Sequence, residues 1–308
     1  MEPSAVLVQR TCSPLTPYKA AVWEKALHEA NIFFHFIVIP SGLHNGFLVD
    51  FPTVSHTQCP PNKESVHTYS DELSRIVHAE YSKGQYIGPF SKEQLTTLIG
   101  PFQTSPISII PKPGHPGKFR LVQKFSYPLY PSLSFPNPSV NSYVNADNFP
   151  ATWGKFSIIY LLTARLPPGS EAATRDVAEA YHTIPLHPSQ WPAAVIRTSD
   201  DKFIVNSCLA FGSTPAAGVY GRLADAGTET FRSHGIGPLD KWVDDHIFFR
   251  IRKSHLEEYN LSCAVWAKQI ADSGGLKQSG SHSWFAGHTS DNDCLEEFSE
   301  NCQAMSLY

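Results

Sequence analysis

The segment "SPISIIPKPGHPGKFRLVQKF", residues 105–125, limits the chain's folding more than any other, because two apolar runs flank a Pro-Gly-His-Pro-Gly core that continues neither helix nor strand. A β-hairpin satisfies both runs. On its second strand Lys118 and Arg120 are two residues apart and share one face, with Phe119 and Leu121 on the other. A second such pattern, "KWVDDHIFFR" at 241–250, predicts arms at Lys241–Val243 and Ile247–Phe249, with Asp244 and Asp245 at the tip. Adjacent carboxylates repel each other, so the doublet belongs in a solvated turn or around a cation.

Helical patterns lie between these hairpins. The spacing predicts helices within 18–31, over 70–81 with a Ser70/Asp71 cap and a stop at Gly84, over 91–99 opening at Ser91 and Glu93, and over 156–166. "AEAYH" at 178–182 also reads as helical, and another helix follows Pro215 with Thr214 as its cap. The small residues Ala216, Ala217, Gly218 and Gly221 in its first turns leave room for a second backbone or a ligand. Strand-like apolar runs occupy 32–39, 46–51, 193–198 and 202–211, and a Pro-, Ser- and Asn-rich connector covers 128–154. This mixture of antiparallel hairpins and separate helices is the signature of an α+β fold, with the connector as the boundary between two lobes.

At 42% hydrophobic and 17% charged residues, the chain of 308 residues can bury a substantial core. Its six cysteines include no C-x-x-C pair, which argues against a dense disulfide framework. No secretory signal is recognisable at the start and the most apolar run is too short to span a bilayer, so the expectation is a soluble intracellular protein, cytoplasmic or nuclear, with no membrane partner. The net charge of −4 hides an uneven distribution. Between Gln94 and Ala146 there is no acid, while Lys112, Lys118, Arg120 and Lys124 cluster there; residues 291–300 hold five acids and no base.

A third acid, Asp176, stands where a short segment meets "AEAYH". If strand ends bring it to Asp244 and Asp245, oxygen ligands of this kind suit Mg²⁺ or Mn²⁺, and two such ions ~3.5–4 Å apart serve in-line phosphoryl transfer. A zinc module from His282, His288, Cys294 and Cys302 is the competing metal reading, although their spacing matches no tight zinc pattern.

The segments "SPISIIPKPGHPGKFRLVQKFS", "RDVAEAYHTIPLHP", "LAFGSTPAAGVYGRLADA", "KWVDDHIFF" and "SWFAGHT" follow one another in the order of the fingers hairpin and palm motifs of reverse transcriptases. Over about residues 70–290 the chain resembles retrotransposon-type RNA-directed DNA polymerases. The resemblance implies right-hand polymerase fingers and palm, the palm an antiparallel sheet backed by helices, with no thumb evident. It divides the chain into an N-terminal extension (1–69), a fingers-like region (70–150), a palm (151–290) and an acidic tail (291–308). It makes Asp176, Asp244 and Asp245 the ligands of two Mg²⁺ or Mn²⁺ ions, and Lys112, Lys118, Arg120, Tyr181, Phe211 and Gly212 the deoxynucleoside triphosphate site. Lys277 falls at the position of a general acid, and Trp284, Phe285 and Gly287 in the primer grip. An RNA or DNA template with its primer is the implied partner, with other retroelement domains on a separate chain. Gln123 and Lys124 depart from relatives that carry an acid in that region. The alternative is a truncated or domesticated remnant that binds nucleic acid or a protein without turnover.

Overall fold

The computed structural model describes residues 3–12, 14–151 and 153–261, with side chains of the first helix described to residue 9. In chain order the elements are α1 (Pro3–Cys12), α2 (Ala20–Glu29), α3 (Val38–Asn45), α4 (Ser65–Thr68), α5 (Ser70–Ser82), β1 (Tyr86–Phe90), α6 (Lys92–Ile99), β2 (Ile107–Pro111) and β3 (Phe119–Gln123). They continue with α7 (Phe156–Arg165), β4 (Glu171–Asp176), β5 (Val195–Arg197), β6 (Phe203–Asn206), α8 (Ala216–Ser233), β7 (Leu239–Trp242), β8 (Asp245–Arg250) and α9 (253–261). Every ladder between these strands is antiparallel, so the described fold is α+β. Among the described residues no helix is long and apolar enough to cross a membrane.

The chain forms two compact units, each assembled from separated segments. Among the described residues, one comprises 3–12, 14–17, 41–150 and 181–220. It holds the sheet β1-β6-β5 and the hairpin β2-β3. Val66, Leu73, Val77, Tyr86, Ile107, Ile109, Ile196 and Ile204 make one buried cluster, against which Phe119 and Leu121 pack. Among the described residues, the other unit comprises 18–40, 151, 153–180 and 221–261. Its sheet has the order β4-β8-β7. Leu162 of α7 packs with Phe249 and Tyr259, with Ile247 and Ile251 beside them.

Where the structure departs from sequence expectation, backbone geometry explains why. Residues 32–39, expected as a strand, form a 3₁₀ turn at Phe33–His35 and lead into α3. Phe36, Ile39 and Leu43 are buried while Phe34 and Val38 are exposed, a helical spacing that a continuous apolar run conceals. Over 46–51 only Phe47 bridges another segment, at Leu186, and the left-handed φ of 57° at Asp50 ends any extension. "AEAYH" is a 3₁₀ turn, Ala180–Thr183, preceded by a left-handed Glu179. At α5 the cap position is Tyr69, with no side-chain cap, because α4 ends at the residue before it and places Ser70 inside the helix. α6 opens after Ser91 with Glu93 in its first turn, as expected, and Gln94 adds a capping box: Ser91 Oγ accepts from the Gln94 N–H, and the Gln94 side chain accepts from the Ser91 N–H.

A buried carboxylate lies in the first unit. Glu80 is 6% exposed and accepts from His182 Nδ1 at 3.1 Å, with Lys83 Nζ at 3.4 Å. Burial alone would raise its carboxyl; the hydrogen bond and charge of His182, with Lys83, outweigh burial and hold it below its ordinary 4.5. A depressed carboxyl stabilises the fold above the unfolded value and loses that contribution as pH falls through the folded one. Glu80→Gln is therefore expected to lower stability at pH 7 by about 1–3 kcal/mol. Thermal melts at falling pH should show a shallower loss of stability below 4.5 than the wild type.

Candidate functional site

Three carboxylates meet at one end of the β4-β8-β7 sheet. The register pairs Asp176, the last residue of β4, directly with Asp245, the first residue of β8. Residues opposite each other in an antiparallel pair share a face, so two like charges stand side by side. Trp242 pairs with Asp245, which leaves Val243 and Asp244 as a two-residue turn. This corrects the expected tip: Asp244 lies in the turn, whereas Asp245 belongs to the strand. Val243 has φ 57°, in the left-handed region that a β-branched residue rarely enters. The Asp244 carbonyl accepts from the Val177 N–H at 3.0 Å, joining the turn to the segment just after Asp176.

The electrostatics follow from this placement. Partial burial, then the charges of Asp176 and Asp245, raise the Asp244 carboxyl above its usual range, against a lowering hydrogen bond from its own N–H. Among the described residues no Lys or Arg forms an ion pair with any of the three. Nor, among those residues, is any group of three or more His, Cys, Asp and Glu side chains arranged to hold a metal ion. Mg²⁺ is commonly bound by one or two carboxylates with the remaining positions filled by water and substrate phosphate, so an open, uncompensated carboxylate set has suitable donor chemistry without forming a closed cage.

The other predicted residues within the described chain lie in the first unit. The β2-β3 register sets Ile110 opposite Arg120, and Lys112 N–H donates to Lys118 O at 2.7 Å. Lys112, Lys118 and Arg120 therefore share the face opposite Ile107 and Ile109, which are buried. None of these three cations has an ion-pair partner among the described residues. The Tyr181 ring lies 4.9 Å from that of Phe211, which is 53% exposed. Gly212 has φ 96°, and a Cβ there would stand 2.5 Å from Gln123 O, so the glycine is required by backbone shape and close packing. Lys277, Trp284, Phe285, Gly287 and the proposed zinc residues lie outside the described residues.

Sequence reasoning missed Asn141. Its Nδ2 donates to Ser126 Oγ at 2.9 Å and Gly212 O at 2.8 Å, and its Oδ1 accepts from the Thr214 N–H at 2.9 Å. One side chain thus ties the Phe211–Thr214 loop to the connector. Its position within an Asn- and Ser-rich stretch gave no periodic signal.

No protein-family model matches the chain, and no curated protein matches it. Among solved structures it is similar to the prototype foamy virus protease-reverse transcriptase, at 17% identity and TM-score 0.44, over 70% of this chain and 24% of that one. The foamy viral protease-reverse transcriptase in complex with an RNA/DNA hybrid is 16% identical with TM-score 0.46, over 68% of this chain and 24% of that one. A complex of that protein with double-stranded DNA is 14% identical with TM-score 0.42, over 93% and 49% of the respective chains. The chain spans about a quarter of the length of the first two.

Proposed function

We propose that this chain is a reverse-transcriptase-like nucleotidyltransferase core of the retrotransposon type, with fingers in residues 70–150 and palm in residues 151–290, that adds deoxynucleotides to a primer on an RNA or DNA template. The observation that carries the proposal is the opposition of Asp176 and Asp245, with Asp244 in the adjoining turn and, among the described residues, no Lys or Arg in an ion pair with any of them. The order of the five sequence motifs supports the same reading.

Asp176 and Asp244 would hold two Mg²⁺ or Mn²⁺ ions, with Asp245 completing the acidic set. Bound there, the ions supply the charge that activates the primer 3′-OH and stabilises the pyrophosphate leaving group. The residues' own part is to keep three carboxylates fixed beside the reacting phosphates. Lys112, Lys118 and Arg120 would neutralise the triphosphate, a use suited to cations on one strand face. Tyr181 against Phe211 would form the wall over the sugar and base.

Equilibrium binding of a deoxynucleoside triphosphate with and without Mg²⁺ tests this reading. Binding is expected to require the metal and to weaken about tenfold or more in Asp244→Asn, a change of about 1.4 kcal/mol. Metal-independent binding that Asp244→Asn leaves unchanged would instead favour the truncated or domesticated remnant that binds nucleic acid or a protein partner without turnover.

A further inference from the structure

Behind the carboxylate turn lies a buried cation that the proposed chemistry does not use. Lys241 is 4% exposed, its Nζ stands 3.0 Å from Asp225 Oδ1 on α8, and it lies 5.3 Å from the centre of the Trp153 ring. The backbone around it is equally fixed. Lys241 O accepts from the Gly154 N–H at 2.8 Å, and the Lys241 N–H donates to Asp240 Oδ1 at 2.8 Å. A Cβ on residue 154 would stand 2.2 Å from Lys241 O, so the segment carrying Trp153 is pressed onto β7. On the helix side a Cβ at 221 would meet the Trp153 ring at 3.5 Å, an ordinary contact distance, so the indole lies close to α8.

This arrangement has little to recommend it as a source of stability. A buried ion pair often contributes no more than an apolar pair of the same size. What the short directional contact does is fix one register of β7 on α8. Lys241 pairs across the hairpin with His246, the next residue Trp242 pairs with Asp245, and the turn follows at once. In that turn Val243 has φ 57°, a conformation that costs about 1–3 kcal/mol and persists only where its surroundings enforce it.

We propose that Lys241 is a positioning residue, whose ion pair with Asp225 beneath Trp153 holds the Val243–Asp244 turn in the strained conformation that presents Asp244 beside Asp176 and Asp245. The inference deepens the nucleotidyl-transfer reading and rests on it for its kinetic consequence. Lys241→Met alone breaks one side of the ion pair and risks misfolding, so the informative variant is Lys241→Met/Asp225→Asn, which removes both charges together.

The expected result is a double variant that melts within a few degrees of the wild type, with kcat for primer extension reduced at least about tenfold and KM for the nucleotide unchanged, the pattern of a group that acts in the transition state. Adding Val243→Gly, which adopts the left-handed turn without strain, should recover most of that loss. Hydrogen exchange over residues 242–246 should be faster in the double variant, an effect independent of turnover. Unchanged exchange with unchanged kcat overturns the inference, as does a loss of kcat that Val243→Gly does not recover. If the folded wild type extends no primer yet the double variant exchanges faster, the nucleotidyl-transfer reading falls and the turn-holding role of Lys241 stands.

Discussion

Gly218→Ala is expected to destabilise the protein by about 2 kcal/mol or more, whereas Gly221→Ala, less than one helical turn later, should leave stability unchanged or raise it by about 0.5–1 kcal/mol. Both glycines are inside α8, where replacement by alanine ordinarily stabilises by reducing the freedom of the unfolded chain. Their surroundings reverse the sign at one of them. A Cβ at 218 would stand 2.1 Å from Phe149 O and 2.5 Å from its carbonyl carbon, and backbone cannot rotate aside as a side chain can. A Cβ at 221 would meet the Trp153 ring at 3.5 and 3.6 Å and Ala151 Cα at 3.9 Å, all ordinary contacts. Urea unfolding of both variants measures the pair. Equal effects at the two positions would show that helix propensity, and not the approach of residue 149, governs α8.

The larger effect on activity is expected at the carboxylates. Asp176→Asn and Asp244→Asn should each lower the rate of primer extension about a thousandfold, because in the proposed function several kcal/mol of transition-state charge stabilisation would depend on the ions they would hold. Asparagine keeps the shape of the side chain and removes its charge. Since Asp176 faces Asp245 directly, and since both their charges act on Asp244, neutralising one acid relieves repulsion in the folded protein. The variants should therefore melt at or slightly above the wild-type temperature without added metal. Loss of activity without loss of stability separates a chemical role from a structural one.

The parts of the fold legible in the sequence were those governed by local signals. The Pro-Gly turn marked β2-β3, and alternation along β3 placed Lys118 and Arg120 opposite the core-facing Phe119 and Leu121. Ser91, Glu93 and the residues around them marked α6. Contacts that join distant segments were not legible. Nothing local to Glu80 announces His182, and nothing local to Lys241 announces Asp225 or Trp153. The run at 32–39 misled because β-branched and aromatic residues without alternation fit a buried strand or a helix equally. At the candidate site, the sequence singled out the three acids, but pairing across β4 and β8 was needed to put Asp245 in the strand and Asp244 in the turn. Small residues in α8 announced a close approach without naming its source, which the structure identifies as residues 149–153.

The most direct test of the carboxylate account is primer extension on an RNA template with Mg²⁺ or Mn²⁺, comparing the wild type with folded Asp176→Asn and Asp244→Asn. The account predicts metal-dependent extension by the wild type and loss of about a thousandfold in rate in both variants. A folded wild type that binds primer–template yet extends nothing, or variants that extend it as fast as the wild type, would contradict it.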